Sequence, residues 1–163
     1  MTKTQSIHIR NYIKPGDIDK IISLHGILYA QEYGFDKTFE SYVAESLRKF
    51  AVSPTKKEKI WIVEHRNRIQ GSLAIVQSNK TTAQLRWFLI DPHLRRKGIG
   101  KKIINEAIQF TKENGYKLLF LWTVNLLEVA NKIYTTTGFQ LTEEKAHTIW
   151  GKYLIEQRYD LEL

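Results

Sequence analysis

Apolar and polar positions alternate over residues 7–12 (IHIRNY), a period of two that predicts a first strand. Pro15-Gly16-Asp17 reads as a turn that ends in a helix cap. Beyond it the period changes. Ile18, Ile21, Ile22, His25 and Leu28 recur at helical spacing and predict a helix running toward Gly34. A second helix is predicted over 38–50, with Phe39, Tyr42, Val43, Ser46 and Leu47 on one stripe and Ser53-Pro54 closing it. Strands follow over 60–64 and 69–76, flanking Arg66-Asn67-Arg68 as a hairpin turn, and over 83–90, stopped by Asp91-Pro92. Ile99, Ile103, Ala107 and Phe110, joined by Ile104 and Ile108, mark one face of a third helix, with Gly115 placed to end it. The uninterrupted apolar run 118–122 (LLFLW) predicts a strand buried on both faces. A last helix over 126–137 stops at Gly138, and strands near 139–146 and 151–163 complete the chain. The predicted order is β-α-α-β-β-β-α-β-α-β-β, a mixed α/β (α+β) domain.

Composition narrows the picture. At 163 residues the chain fits a single domain, 1–163, with one core. Its 42% hydrophobic and 26% charged content is ordinary for a water-soluble globule. No run of 18 apolar residues is present and the first ten residues lack the apolar centre of a leader, so a cytoplasmic location away from membranes is expected. With no cysteine, thiol nucleophiles, disulfides and thiolate metal sites are excluded. The histidines at 8, 25, 65, 93 and 147 show no ligand spacing, so no metal is expected. The formal net charge of +8 suits a nucleic acid, an anionic surface or a polyphosphate. Much of it is local. Arg95, Arg96, Lys97, Lys101 and Lys102 fall together, and Lys56, Lys57 and Lys59 form a second group that reads as a solvated loop. No reading helix or aromatic stacking platform accompanies the charge, so no nucleic-acid partner is expected.

The basic group at 95–102 surrounds two glycines at the junction of a strand and an amphipathic helix. The first N–H groups of such a helix lack internal partners and sit at the positive end of its dipole. Gly98 and Gly100, without a Cβ, let backbone approach a phosphate closely. A diphosphate suits that place. The spacing Arg-x-x-Gly-x-Gly over 95–100 is neither the dinucleotide fingerprint nor a P-loop.

This stretch resembles the acetyl-CoA-binding motif of GCN5-related N-acetyltransferases (GNAT), Arg/Gln-x-x-Gly-x-Gly/Ala, with Arg95, Gly98 and Gly100 at the pattern positions. A second match lies downstream. Residues 130–139 (ANKIYTTTGF) resemble the family's Ala-x-x-Leu-Tyr-x-x-x-Gly-Phe ending, with Ile133 in place of Leu. The front segment 25–34 (HGILYAQEYG), with Leu121-Trp122-Thr123, is similar to the acetyltransferase half of bacterial proteins that fuse a MarR-type DNA-binding domain to a GNAT domain; the resemblance implies a free-standing relative, expected to lack the DNA-binding half.

The resemblance implies a mostly antiparallel central sheet flanked by helices, and direct acetyl transfer from acetyl-CoA to an amine of a small molecule or peptide. A homodimer is a family-level expectation. Coenzyme contacts are implied for Phe88, Leu89 and Ile90 through their backbone, for the loop Arg95, Arg96, Lys97, Gly98, Ile99, Gly100 and Lys101, and for Asn125, which equally suits the cap of the following helix. Tyr134 matches the position that protonates the leaving sulfur, and is otherwise a core tyrosine. Gln84 stands where many members carry a basic glutamate, which opens the question of the base. Glu32 is the leading candidate, with His25 and Glu64 behind it, although Glu32 is also readable as solvated and His25 as a satisfied helix-face residue. His25, Tyr29, Tyr33, Trp87 and Trp122 are candidates for the acceptor pocket. A non-catalytic acyl-CoA sensor is the alternative function.

Overall fold

The computed structural model describes residues 6–163, so the leader expectation, which rests on residues 1–10, lies partly outside the described residues. The elements are β1 (His8–Arg10), α1 (Asp17–Tyr33), α2 (Lys37–Val52), β2 (Lys59–His65), β3 (Arg68–Gln77), β4 (Thr82–Ile90), α3 (Ile99–Glu113), β5 (Leu118–Val124), α4 (Glu128–Thr136), β6 (Gln140–Ile149) and β7 (Lys152–Glu162). A short 3-10 turn over Pro92–Leu94, not predicted, precedes α3. The order of elements is the predicted one. All seven strands form one sheet in the order β1-β2-β3-β4-β5-β7-β6. Only β4 and β5 are parallel, joined by the α3 crossover.

The alternation of side chains across the strands divides the core into two layers. On one face Leu73, Ile75, Leu85, Leu119 and Leu121 pack with Ile103, Ile104 and Ala107 of α3. On the other, Ile60, Ile62, Ala74 and Leu154 pack with Ile21 and Ile22 of α1 and Val43 and Leu47 of α2. The helix stripes predicted these contacts, except that Tyr42 points outward and is 48% exposed.

One irregularity positions the site. β4 pairs with β5 only through Thr82, Ala83 and Gln84, opposite Leu118, Leu119 and Phe120. Beyond that the strands separate. The register of β4 on β3 shifts between Ser72 and Ala74, and Trp87 takes a left-handed φ of 50°. This is a bulge, which bends a strand and raises its twist. The Ser72 hydroxyl donates to the Trp87 carbonyl at 2.6 Å and pins it.

Three local expectations change. Asp17 does not cap α1. Gly16 occupies the cap, while the Asp17 carboxylate is buried, accepting from the Lys14 N–H at 2.7 Å and from Arg10 at 2.6 Å. The last helix begins at Glu128, and Asn125 does not cap it because its side-chain oxygen accepts from the Ile155 N–H at 3.1 Å. β6 continues past Ala146 to Ile149, because Trp150 and Gly151, with φ of 54° and 80°, close a tight hairpin to β7.

Candidate active site

The segment from Asp91 to α3 folds back across the end of β4. The Asp91 carboxylate accepts from the His93 N–H at 2.9 Å, and the buried Leu94 anchors the turn in the core. Arg96 and Gly98 then take φ of 63° and 78°. The first helical hydrogen bond of α3 runs from the Lys102 N–H to the Gly98 carbonyl at 3.0 Å. The N–H groups of Ile99, Gly100 and Lys101 therefore have no backbone acceptor among the described residues. Three free donors at a helix N-terminus, flanked by Arg96 and Lys101, fit a polyphosphate. Space at Gly100 is tight, since a Cβ there would come within 3.2 Å of the Phe88 ring.

This loop forms one wall of a first pocket. Phe88, Leu89 and Ile90 at the separated end of β4 form another, and Ala130 and Ile133 of α4 complete it with Tyr29, Glu32 and Tyr33 of α1. The exposed Lys97 stands outside the lining. Asn125 lines neither this pocket nor the next, being tied to β7.

Two expected roles shift here. Arg95 lines the pocket, but its Nε donates to the Ile90 carbonyl at 2.9 Å and its two terminal nitrogens donate to Glu32 at 2.7 Å each. It is a strut between the loop and α1. Glu32 is thereby held in an ion pair on the loop side and does not line the aromatic pocket. The hydrogen bond from Arg95 to Glu32 raises the pKa of the guanidinium against the opposing effect of burial. Glu64 is farther away, paired with Arg10 at 2.5 Å on β2.

A second pocket opens on the α1–α2 side of the same strand separation. It shares Tyr29, Phe88 and Leu127 with the first, so the two adjoin there. His25, Tyr29, Trp87 and Trp122 line it as expected, whereas Tyr33 lies on the loop side. Phe35, Phe39, Tyr42 and Trp150 complete an aromatic wall that sequence reasoning missed. Phe39 stacks on Tyr29 with centroids 4.4 Å apart, and Trp150 meets Phe39 edge-on at 5.0 Å. The polar lining is Gln84 and Arg86 from β4, and Glu156 from β7. Glu156 was also missed. It sits on β7 opposite Val124 of β5, and its Oε1 lies 2.5 Å from Nε2 of His147 on β6. An ionised carboxylate only accepts, so that nitrogen is the donor.

Burial sets the protonation of the remaining polar groups. His25 is 2% exposed, and its Nδ1–H donates to the Ile21 carbonyl at 2.8 Å. Burial lowers its pKa to about 4, against the raising effect of that bond, so the ring is neutral and Nε2 carries a lone pair without a partner. Tyr29 and Tyr134 are pushed up, chiefly by burial. Tyr134 of α4 lines the second pocket close to the junction, its ring 6.0 Å from Phe88.

Comparison with known proteins agrees with this architecture. The Acetyltransferase (GNAT) domain family matches residues 20–150. An uncharacterised N-acetyltransferase of Schizosaccharomyces pombe is 26% identical over 151 residues, covering 90% of this chain and 91% of that protein. Human N-acetyltransferase 8 is 25% identical over 97 residues, 56% of this chain and 43% of its own length; the chain spans less than two thirds of the first curated mammalian relatives it matches. An N-acetyltransferase from Staphylococcus aureus superposes with a TM-score of 0.77 at 17% identity, covering 96% and 98% of the two chains. A GNAT acetyltransferase from Elizabethkingia anophelis with acetyl-CoA bound gives 0.66 at 15% identity, with the same coverage. No helix among the described residues is long and apolar enough to cross a membrane.

Proposed function

Since the chain belongs to the GNAT family of acetyltransferases, we propose that it moves the acetyl group of acetyl-CoA directly to an amine of a small molecule or peptide. The observation that carries this is the meeting of two pockets at the β4–β5 separation, one with free helix-terminal donors and one with an aromatic wall and a carboxylate. Bound acetyl-CoA would supply the activated acetyl group and a thiol leaving group. Arg96, Lys101 and the N–H groups of residues 99–101 would hold its diphosphate. The stretch of β4 from Phe88 to Ile90, no longer paired with β5, turns that edge toward an extended arm, with the Ile90 carbonyl already held by Arg95.

Two proton problems fall to side chains. An alkyl amine of pKa ~10.4 costs roughly 4–5 kcal/mol to deprotonate at pH 7. Glu156 takes that proton; His147 holds one of its oxygens and fixes its orientation, leaving the other free. Gln84, which lines the same pocket, cannot accept a proton. Tyr134 stays protonated because burial, aided by Tyr29, holds its pKa well above the ordinary value. Full transfer to a thiolate of pKa ~8.5 is uphill from such a phenol. Tyr134 therefore acts by donating a hydrogen bond where negative charge develops on sulfur.

The front segment 25–34 supports kinship with the acetyltransferase half of MarR–GNAT fusions, and so a bacterial, cytoplasmic setting. The test is thiol release from acetyl-CoA by the purified chain across amines, amino acids, polyamines and lysine peptides. Release with one class establishes the transfer. Silence from a folded protein that binds acetyl-CoA favours the sensor instead.

A further inference from the structure

Arg86 is the one cation lining the aromatic pocket, and it has no ion pair among the described residues. Its guanidinium lies over the Trp87 ring, 4.8 Å from the centroid, and donates only weakly, to Tyr42 Oη at 3.3 Å and Ser46 Oγ at 3.2 Å. Two acids, Glu45 and Glu58, share the outer groove on its far side. Neither forms an ion pair with Arg86. Glu58 is occupied by the Thr55 and Gln77 N–H groups at 2.9 and 3.0 Å. Beneath Arg86, the buried indole N–H of Trp87 has no acceptor. The guanidinium lacks an anionic partner and the indole N–H buried beneath it lacks an acceptor among the described residues; an anion seated at Arg86 would supply both.

The lining of the same pocket also carries the opposite sign, in Glu156 of β7. Between them the aromatic cavity encloses about 180 Å³, against the roughly 150 Å³ of a cavity that admits benzene. The space takes one ring-sized apolar body.

Building on the transferase reading, we propose that the acceptor is a small zwitterion. It is a primary amine that also carries a carboxylate and a ring-sized apolar group, with the carboxylate bound by Arg86 and the Trp87 indole N–H, and the ammonium end directed toward Glu156. A polyamine would set a second cation against Arg86 and is selected against.

Matched pairs isolate the carboxylate. Phenylalanine and phenethylamine differ only in that group, and their binding to the full chain, with coenzyme A present, is read by titration calorimetry, independently of turnover. The expected result is phenylalanine binding about 10- to 100-fold tighter, the range for one charge-assisted contact. Arg86→Gln should bring the two within about 2-fold, and Trp87→Phe, which keeps the ring and removes the N–H, should narrow the gap partway. Circular dichroism checks that each variant folds, and the wild-type comparison stands without them. Equal binding, tighter binding of phenethylamine, no binding of either at millimolar concentration, or an undiminished preference in Arg86→Gln would each overturn the proposal. Thiol release with polyamines or lysine peptides beside such a result would keep the transferase reading and remove only the zwitterion. A carboxylate preference without thiol release from any amine would keep the site and remove the chemistry.

Discussion

The two pockets lie side by side along β4 but are made in different ways. The loop pocket uses backbone: free N–H groups of α3, the separated end of β4, and a glycine that leaves room for Phe88. Those parts fall within residues 88–101, and side chains of α1 and α4 complete the lining. The aromatic pocket uses side chains drawn from α1, α2, β4, β5, α4, β7 and the β6–β7 turn. A site built from backbone in one stretch tolerates sequence change while keeping its ligand; one assembled from distant side chains changes ligand with single substitutions.

If that contrast holds, substitutions on the two sides should separate cleanly. The largest effect is expected at Glu156. Glu156→Gln should lower kcat by about 10²- to 10⁴-fold while acetyl-CoA affinity stays near wild type. A kcat within 2-fold of wild type would remove Glu156 as the base and return that role to solvent.

A stability effect comes next. His25 is neutral in the fold, with a pKa near 4, and titrates near ~6.5 when unfolded. The unfolded chain thus binds the extra proton between these values, so stability falls as pH drops from about 6.5 toward 4. The full contribution is about 3 kcal/mol. His25→Gln should flatten that part of the unfolding-against-pH curve; an unchanged slope would show that His25 charges without cost.

Tyr134→Phe should lower kcat about 10- to 100-fold with acetyl-CoA affinity preserved, as expected of a donor that acts late. Equal losses in both would make Tyr134 a packing residue. The smallest effect is expected at Glu32. Its pair with Arg95 is partly exposed, so Glu32→Gln should cost no more than about 1 kcal/mol in thermal unfolding and change kcat by less than about 2-fold. A collapse of kcat there would put the base back on the loop side.

The same contrast explains what was legible in the sequence. Helix stripes and strand alternation follow from local periodicity, so the order of elements emerged directly. The loop pocket was readable because Gly98, Gly100 and their basic neighbours are contiguous. The bracing role of Arg95 was not legible because its partner Glu32 is 63 residues away and nothing local marks the pair. Glu156 looks like an ordinary polar residue on a strand; only the pairing of β7 with β5 and β6 brings it under the aromatic wall beside His147. Trp150 escaped notice because its position depends on a hairpin whose left-handed residues begin with a tryptophan, not the usual Asn or Gly. The bulge at Trp87, which opens the sheet, has no local signature either, since its carbonyl is held by Ser72 from the neighbouring strand.

On the proposed reading, adjoining pockets hold donor and acceptor together and the acetyl group passes directly between them. Initial rates with acetyl-CoA and an amine acceptor both varied test this most directly. Intersecting double-reciprocal lines are expected for a ternary complex. Parallel lines, the mark of an acyl-enzyme formed before the acceptor binds, would contradict it.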